Sequence, residues 1–417
     1  MSHLLSPLPF LASVVLSSVL YSGAISPSKD NPQITSPLPS SNESGFQNVS
    51  ISSSNTVPPK GVDITEHLDI PEKPLNDVSR ANETGGETLL RQASAHSGGI
   101  SATIYQSMLF TGIETDWFST SRGFQSISSA LQRGDNLPSL IKEKGFSHIL
   151  INLEQGLIRG NSLGKKKNEA LLSVLEQCKE ARLAVVLGLN LGDIDFSSPS
   201  LENSKVRRLI DFWGTVASML KKQPSSVSYR IVLQSEVHSR KEMDEVNRAF
   251  FNIVKSIHSH DPSRVIIASQ NGSTGYFTLS GLDIQNSNNL VIAEWQMYIG
   301  SVRRKSRGLI KEKNFIRSRI SEVQSWTNKN STPTYLSSWR NSRRMTDKKS
   351  LMGGSIPFSL YSPKEQAELT SFLVQGLQAT SVPFSISSLK KFFNPNTFSW
   401  RKQTLPQLNL FLGKKNK

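Results

Sequence analysis

Cysteine is almost absent from this chain of 417 residues, since Cys178 is the only one. A single cysteine excludes an intrachain disulfide and a cysteine-based metal cluster. Cys178 follows Leu171 and Val174 at helical spacing, which predicts a small core residue on a helix. The seven histidines lack metal-ligand spacing, except for His258-Ser-His260 at a predicted helix end. The sequence therefore predicts neither a metal nor a cofactor.

Charge is absent from the first 24 residues, which contain no Lys, Arg, Asp or Glu. The segment from Leu4 to Ala24 is apolar and ends in Ser22-Gly23-Ala24, a small-residue cleavage pattern. This pattern predicts a secretory signal peptide, residues 1–24, and hence a secreted, periplasmic or cell-envelope protein. An uncleaved anchor is the alternative because no basic residue precedes the apolar run. Pro7 and Pro9 argue against a regular membrane-spanning helix.

Hydrophobic periodicity is absent from residues 25–99, which are rich in Ser, Pro, Asn and Thr. Such a segment cannot bury enough apolar surface to offset its ordering entropy, so it is predicted to be a disordered linker. The linker carries five basic against nine acidic residues. The remainder of the chain, from residue 101 onward, carries 43 basic against 24 acidic residues, so the positive charge belongs to the folded part.

Residues 100–417 alternate short apolar runs with amphipathic segments. The predicted strands are Ser107–Gly112, His148–Leu153, Ala184–Leu189, Tyr229–Leu233, Arg264–Ala268, Leu290–Ala293, Thr334–Leu336 and Val382–Ile386. The predicted helices include Leu137–Lys144, Lys167–Glu180, Val206–Lys222, Lys241–His258 and Pro363–Leu377. Eight strands that alternate with helices over about 300 residues predict an α/β protein, a (β/α)8 TIM barrel.

The most informative stretch runs from Tyr229 to Ser239. Its apolar run Ile231-Val232-Leu233 has the length and β-branched character of a buried parallel strand, and it leads into Glu236. A helical pattern begins about five residues later. A carboxylate at the C-terminal end of such a strand lies where barrels keep their chemistry, although a solvated loop glutamate is the alternative.

Ser235-Glu236-Val237-His238 resembles the Asn-Glu-Pro-His signature of glycoside hydrolase family five, the cellulase family. The resemblance extends from about Leu109 to Trp400. Pro333-Thr-Tyr-Leu-Ser-Ser-Trp339 is similar to the Pro-Val-Tyr-Leu-Gly-Glu-Phe of the family's seventh strand. The resemblance implies a (β/α)8 barrel that hydrolyses a β-linked glycan with retention, with Glu236 as general acid/base.

The same resemblance shows that most of the catalytic positions are substituted. Ser338 occupies the nucleophile position, and Leu150 replaces the second-strand arginine that orients the nucleophile. Ser387 replaces a tryptophan on the eighth strand. The remaining positions, which the resemblance assigns to substrate binding, are Asn190, Ser235, His238, Gln296, Tyr298 and Trp339. A serine without an adjacent base is a poor nucleophile, so canonical hydrolysis is predicted to be lost or severely reduced.

Two replacements for the missing acid are considered. Glu294 lies two residues before Gln296, so strand alternation points both side chains into the barrel. Glu294 is either the replacement nucleophile or a buried acid paired with a basic residue, and the second is expected because buried acids are usually paired. An inverting mechanism would instead use Glu236 with Asp193 or Asp195.

Residues 301–350 form a basic segment with 14 Lys or Arg against three Asp or Glu. Such a segment is either a solvated face or a patch for acidic polysaccharide or an envelope surface, and no nucleic-acid partner is expected. Two functions remain open, and the partner in both is a β-linked or acidic polysaccharide. One is a family-five-like glycoside hydrolase, and the other, which is favoured, is a non-catalytic glycan-binding or cell-envelope protein.

Overall fold

The computed structural model describes residues 99–153, 164–234, 237–271, 279–283, 289–297, 308–339 and 361–414. The predicted signal peptide and nearly all of the predicted linker lie outside the described residues, as do Ser235, Glu236 and Tyr298. In the described part of the chain, no helix combines the length and apolar character needed to cross a membrane.

Ten strands and ten α-helices follow one another along the described residues. The strands are β1 Thr111–Phe118, β2 His148–Leu153, β3 Ala184–Asp193, β4 Val227–Gln234, β5 Ile266–Asn271, β6 Val291–Trp295, β7 Thr334–Trp339, β8 Phe384–Ile386, β9 Phe393–Asn394 and β10 Ser399–Trp400. The helices are α1 Ala102–Met108, α2 Ser121–Gln132, α3 Leu137–Lys144, α4 Lys165–Glu180, α5 Ser204–Leu220, α6 Arg240–His258, α7 Leu309–Asn330, α8 Pro363–Ala379, α9 Leu389–Phe392 and α10 Leu405–Phe411.

Strands β1 to β8 form a closed barrel in sequence order, and every neighbouring pair is parallel, including β1 with β8. The predicted (β/α)8 barrel is therefore confirmed. Strand β2 and helix α3 have the predicted bounds, and most of the other elements differ by a few residues at their ends. In such a barrel the C-terminal ends of all strands, and the N-termini of the helices that follow them, lie at one mouth.

The prediction of a strand at Ser107–Gly112 was wrong. Helix α1 occupies this region as far as Met108, and β1 begins at Thr111. The Ser101 side chain caps α1 by accepting a hydrogen bond from the backbone N–H of Ile104. The helix contributes Tyr105 to the floor of the barrel, where its hydroxyl donates to the carbonyl of Val185 at 2.9 Å.

The apolar core has two layers because alternate residues of each strand point to opposite faces. One layer lies between the strands and the surrounding helices, and it includes Ile149, Ile151 and Leu187. The other layer fills the floor inside the barrel. Its buried members are Ala102, Tyr105, Met108, Leu109, Leu150, Ala184, Val186, Val265, Ile267, Ile292 and Tyr335.

Three strands carry a bulge near their C-terminal ends. Between Thr115 and Phe118 of β1, between Asn190 and Asp193 of β3, and between Leu336 and Trp339 of β7, the register advances by one residue relative to the neighbouring strand. An extra residue on one strand re-aims the side chains that follow it, and such bulges are common beside functional sites. All three lie at the mouth of the barrel.

Candidate ligand-binding site at the barrel mouth

A buried ion pair lies inside the barrel below the mouth. Arg230 on β4 and Glu294 on β6 are 6% and 1% exposed. The guanidinium binds the carboxylate in a bidentate manner, through Nε to Oε2 and through Nη2 to Oε1, the latter at 2.6 Å. Ser269 Oγ donates to Oε1 at 2.8 Å, and Ser337 Oγ donates to the same oxygen. Both oxygens of Glu294 are therefore occupied by donors.

The charges of this pair depend on each other. Burial alone would lower the pKa of Arg230, but the negative charge of Glu294 and its hydrogen bonds outweigh burial, and the pKa is raised. The nearby charge of Glu114 acts in the same direction. Of the two roles open for Glu294 from its sequence position, its burial and bidentate pairing match the expected one, a structural acid paired with a basic residue.

Glu114 on β1 is an inward-facing carboxylate that sequence reasoning missed. It is partly buried, and Asn152 Nδ2 on β2 donates to its Oε1 at 2.6 Å. Gly188 on β3 makes room for this arrangement. A Cβ atom at Gly188 would lie 3.1 Å from Asn152 Oδ1 and 3.5 Å from the Arg230 side chain. Strand alternation was the signal that could have identified Glu114 from the sequence, because it lies two residues after Gly112 and therefore on the same face of the strand.

The floor below this polar layer is apolar around a neutral histidine. His148 Nε2 lies 3.0 Å from the Tyr335 hydroxyl, and His148 Nδ1 lies 3.2 Å from Ser147 Oγ. Complete burial lowers the pKa of His148 to about 3, so the ring stays uncharged at neutral pH. Leu150, where the resemblance implies an arginine in the family, is fully buried among the apolar residues of this floor.

Several predicted site residues lie at strand ends that meet at the mouth. Asn190 is in β3, whereas Ser338 and Trp339 are in β7, and the β7 bulge falls at Ser337 and Ser338. The side chains of Asn190, Ser338 and Trp339 lie outside the described residues, as do Ser235, Glu236 and Tyr298. Strand β4 ends at Gln234, two residues before Glu236 in the sequence. The convergence of these side chains stays a prediction.

The remaining predicted residues are described. His238 is exposed just before helix α6, and its backbone N–H donates to Glu242 Oε2 at 2.7 Å. Gln296 directly follows β6 and is partly buried. Ser387, also partly buried, directly follows β8, and the peptide bond between Ser387 and Ser388 is cis.

The acids considered for an inverting mechanism lie at the end of β3 and in the loop after it. Asp193 is the last residue of β3, and its side chain is outside the described residues. Asp195 is exposed and accepts a hydrogen bond from the backbone N–H of Ser197 at 2.9 Å, which lowers the pKa of Asp195. Within the described parts of the chain, no three His, Cys, Asp or Glu side chains converge in a way that could hold a metal ion.

Several solved structures with this fold are endoglucanases. A hyperthermophilic endo-β-1,4-glucanase superposes with a TM-score of 0.57 at 15% identity, covering 76% of this chain and 100% of its own. A broad-specificity endoglucanase of glycoside hydrolase family five from Clostridium longisporum gives 0.56 at 16%, covering 76% and 98%. A Thermotoga maritima endoglucanase in complex with mannotriose gives 0.53 at 16%, covering 73% and 98%. No protein-family model and no curated protein sequence matches the chain.

The fold is thus a (β/α)8 barrel like that of these glycoside hydrolases. The structural neighbours include an endoglucanase of family five, at 16% identity. At such identities the likeness concerns the fold alone, so catalysis and substrate must be argued from the residues of this barrel.

Proposed function

We propose that this protein is an exported barrel that binds a β-linked glycan at its mouth and does not hydrolyse it by the retaining mechanism. The observation that carries the proposal is that hydrogen-bond donors already occupy both carboxylate oxygens of Glu294. A nucleophilic carboxylate needs a free oxygen beside the sugar, whereas both oxygens of Glu294 accept hydrogen bonds from Arg230 or from serine hydroxyls in the buried interior.

The polysaccharide partner is supported by the neighbours, which include a glucanase with its substrate and an endoglucanase with mannotriose. The proposed export is supported by the uncharged, apolar residues 1–24. A proposed contact between residues 301–350 and the cell envelope gains little support from α7, the described helix in this segment. Lys313 and Arg317 each lie 5.5 Å from the Phe372 ring on α8, and Lys313 also pairs with Glu368 at 2.6 Å.

Hydrolysis with Glu236 as acid/base is the second candidate, and the partly buried Glu114 favours it. Glu114 is a second inward-facing carboxylate in the polar layer of the barrel, and Asn152 Nδ2 donates to its Oε1 at 2.6 Å. In this alternative Glu114 or another acid would complete the pair with Glu236.

One experiment separates these candidates. The protein is incubated with soluble β-1,4-glucan and β-1,4-mannan, and binding is measured by affinity electrophoresis while new reducing ends are counted. We expect binding without an increase in reducing ends over a heat-denatured control. Turnover that is abolished in both Glu236→Gln and Glu114→Gln would establish the hydrolase and overturn the proposal.

A further inference from the structure

The basic charge of the barrel is unevenly distributed around the mouth. Among the helices that follow barrel strands, α2, α4, α5 and α9 have no acidic residue in their first turn, whereas α6, α7 and α8 have Glu242, Glu312 and Glu365 there. Acidic residues are favoured at a helix N-terminus because they complement the helix dipole. One side of the mouth therefore follows this rule, and the other side does not.

The side without acidic residues carries basic side chains in the first turns of α2 and α4 and in the short helix α9. We call this set the basic rim, and its members are Arg122 on α2, Lys165, Lys166 and Lys167 on α4, and Lys390 and Lys391 on α9. All are exposed except Lys167, which is partly buried. Basic residues in the first turns of α2 and α4 destabilise their own helices, so helix stability does not account for Arg122 or for Lys165, Lys166 and Lys167.

Contacts between elements join the basic rim into one surface. Lys167 Nζ lies 5.6 Å from the ring of Phe124 on α2, which brings the start of α4 beside α2. Lys390 Nζ lies 3.3 Å from Asp116 Oδ2 on β1, which joins α9 to the end of that strand. Among the described residues of β1, α2, α9 and the start of α4, the acidic residues at this surface are Asp116 and Glu169, against six basic ones. Helix α5 also starts with basic residues, but exposed Asp195 and Glu202 precede it, so it is not included.

We infer that the basic rim selects an acidic polysaccharide, one whose β-linked sugars bear carboxylate or sulfate groups, over a neutral glycan. A neutral glucan offers no charge to these side chains, whereas a polyanion that crosses the mouth beside β1 and β8 brings its acidic groups to them. The inference rests on the proposed glycan-binding function and specifies its ligand. A membrane surface is disfavoured, because the exposed large apolar side chains of the described residues do not include any on α2, on α9 or in the first turn of α4.

The test compares two polymers with the same backbone, carboxymethyl cellulose and hydroxyethyl cellulose, by affinity electrophoresis of the full chain. We expect tighter binding of the carboxymethyl polymer and a loss of that preference as NaCl rises from about 0.05 M to about 0.5 M. The variant Lys165→Ser/Lys166→Ser should weaken binding of the anionic polymer by about five- to tenfold and leave that of the neutral polymer unchanged.

The matched control is Lys221→Ser/Lys222→Ser, which removes the same charge from exposed residues after α5, at the opposite end of the barrel. It should leave both affinities unchanged. Equal binding of both polymers would overturn the inference and leave the proposed function standing, whereas binding of neither would overturn the proposed function. Equally tight binding of polyglutamate or of phosphatidylserine vesicles would show a general polyanion or membrane surface and would also overturn the inference.

Discussion

The pairing of Glu294 with Arg230 predicts a large and asymmetric response to mutation. Glu294→Gln keeps the size of the side chain but removes its charge. Four donors, two from Arg230 and one each from Ser269 and Ser337, bind the carboxylate, and the NH₂ group of glutamine would face at least one of them without offering an acceptor. Arg230 would then remain charged, 6% exposed and without its counter-ion. Breaking a buried pair in this way costs about 3–5 kcal/mol of the free energy of unfolding.

Replacing both partners should be far less harmful. Arg230→Met/Glu294→Met removes the buried charges together and fills the space with apolar atoms. We expect this double variant to lie within about 2 kcal/mol of the parent, the remaining loss coming from the hydroxyls of Ser269 and Ser337 that lose their acceptor. Urea unfolding followed by circular dichroism gives the midpoint and slope for each variant.

The surface pair Glu176–Lys179 supplies the control. Its side chains are 53% and 43% exposed at a separation of 2.7 Å, so Glu176→Gln should cost less than about 1 kcal/mol. If Glu294→Gln costs no more than Glu176→Gln, Glu294 does not carry a buried charge paired with Arg230, and the argument against its role as nucleophile fails.

Three further predictions concern the floor and the polar layer. The pKa of His148 is about 3 in the folded protein against about 6.5 in the unfolded protein, so the unfolded state binds more protons between these pH values. The free energy of unfolding, measured across pH, should therefore be complete above pH 6.5 and about 2–3 kcal/mol lower at pH 4.5. A flat profile equal to that of His148→Gln would contradict this. Tyr105→Phe removes the hydroxyl that donates to the carbonyls of Val185 and Ser226 and should cost about 1–3 kcal/mol, whereas Ser107→Ala on the exposed side of α1 should change stability by less than about 0.5 kcal/mol. Gly188→Ala places a methyl group 3.1 Å from Asn152 Oδ1 and should cost about 1–3 kcal/mol in urea unfolding, whereas Gly164→Ala, with no heavy atom within 4 Å, should be tolerated.

The sequence predicted the barrel because its strand and helix signals are local. Strand β2 is largely apolar between His148 and Leu153, and α3 is capped by Asn136 before its first residue and by Gly145, which has a positive φ of 112°, after its last. The first strand was predicted to begin at Ser107, in the last turn of α1, because the apolar residues there point into a floor formed by distant strands. Helix α7 was not predicted because its buried positions, Ile316, Ile320 and Val323, are spread among many charges.

The polar layer was harder to predict than the fold. Strand alternation correctly pointed Glu294 inward, since that period is a property of the chain itself. Its partner Arg230 lies 64 residues away and begins an apolar run, where it resembles a flanking charge. Only the register of β4 and β6 on the two sides of β5 brings these side chains to the same interior layer, and neither spacing nor composition records that register.

The substitutions at Leu150 and Ser338 support the non-catalytic proposal more strongly together than separately. An arginine at position 150 would lie among the apolar floor residues, where it would need a carboxylate above it to offset its burial. With serine at position 338 that carboxylate is missing from the sequence, and leucine at 150 removes the charge that would have been left unpaired. The interior instead places its arginine on β4, where Glu294 neutralises it. Its guanidinium is thereby held by an acid of the polar layer and is not available to orient a carboxylate at the mouth.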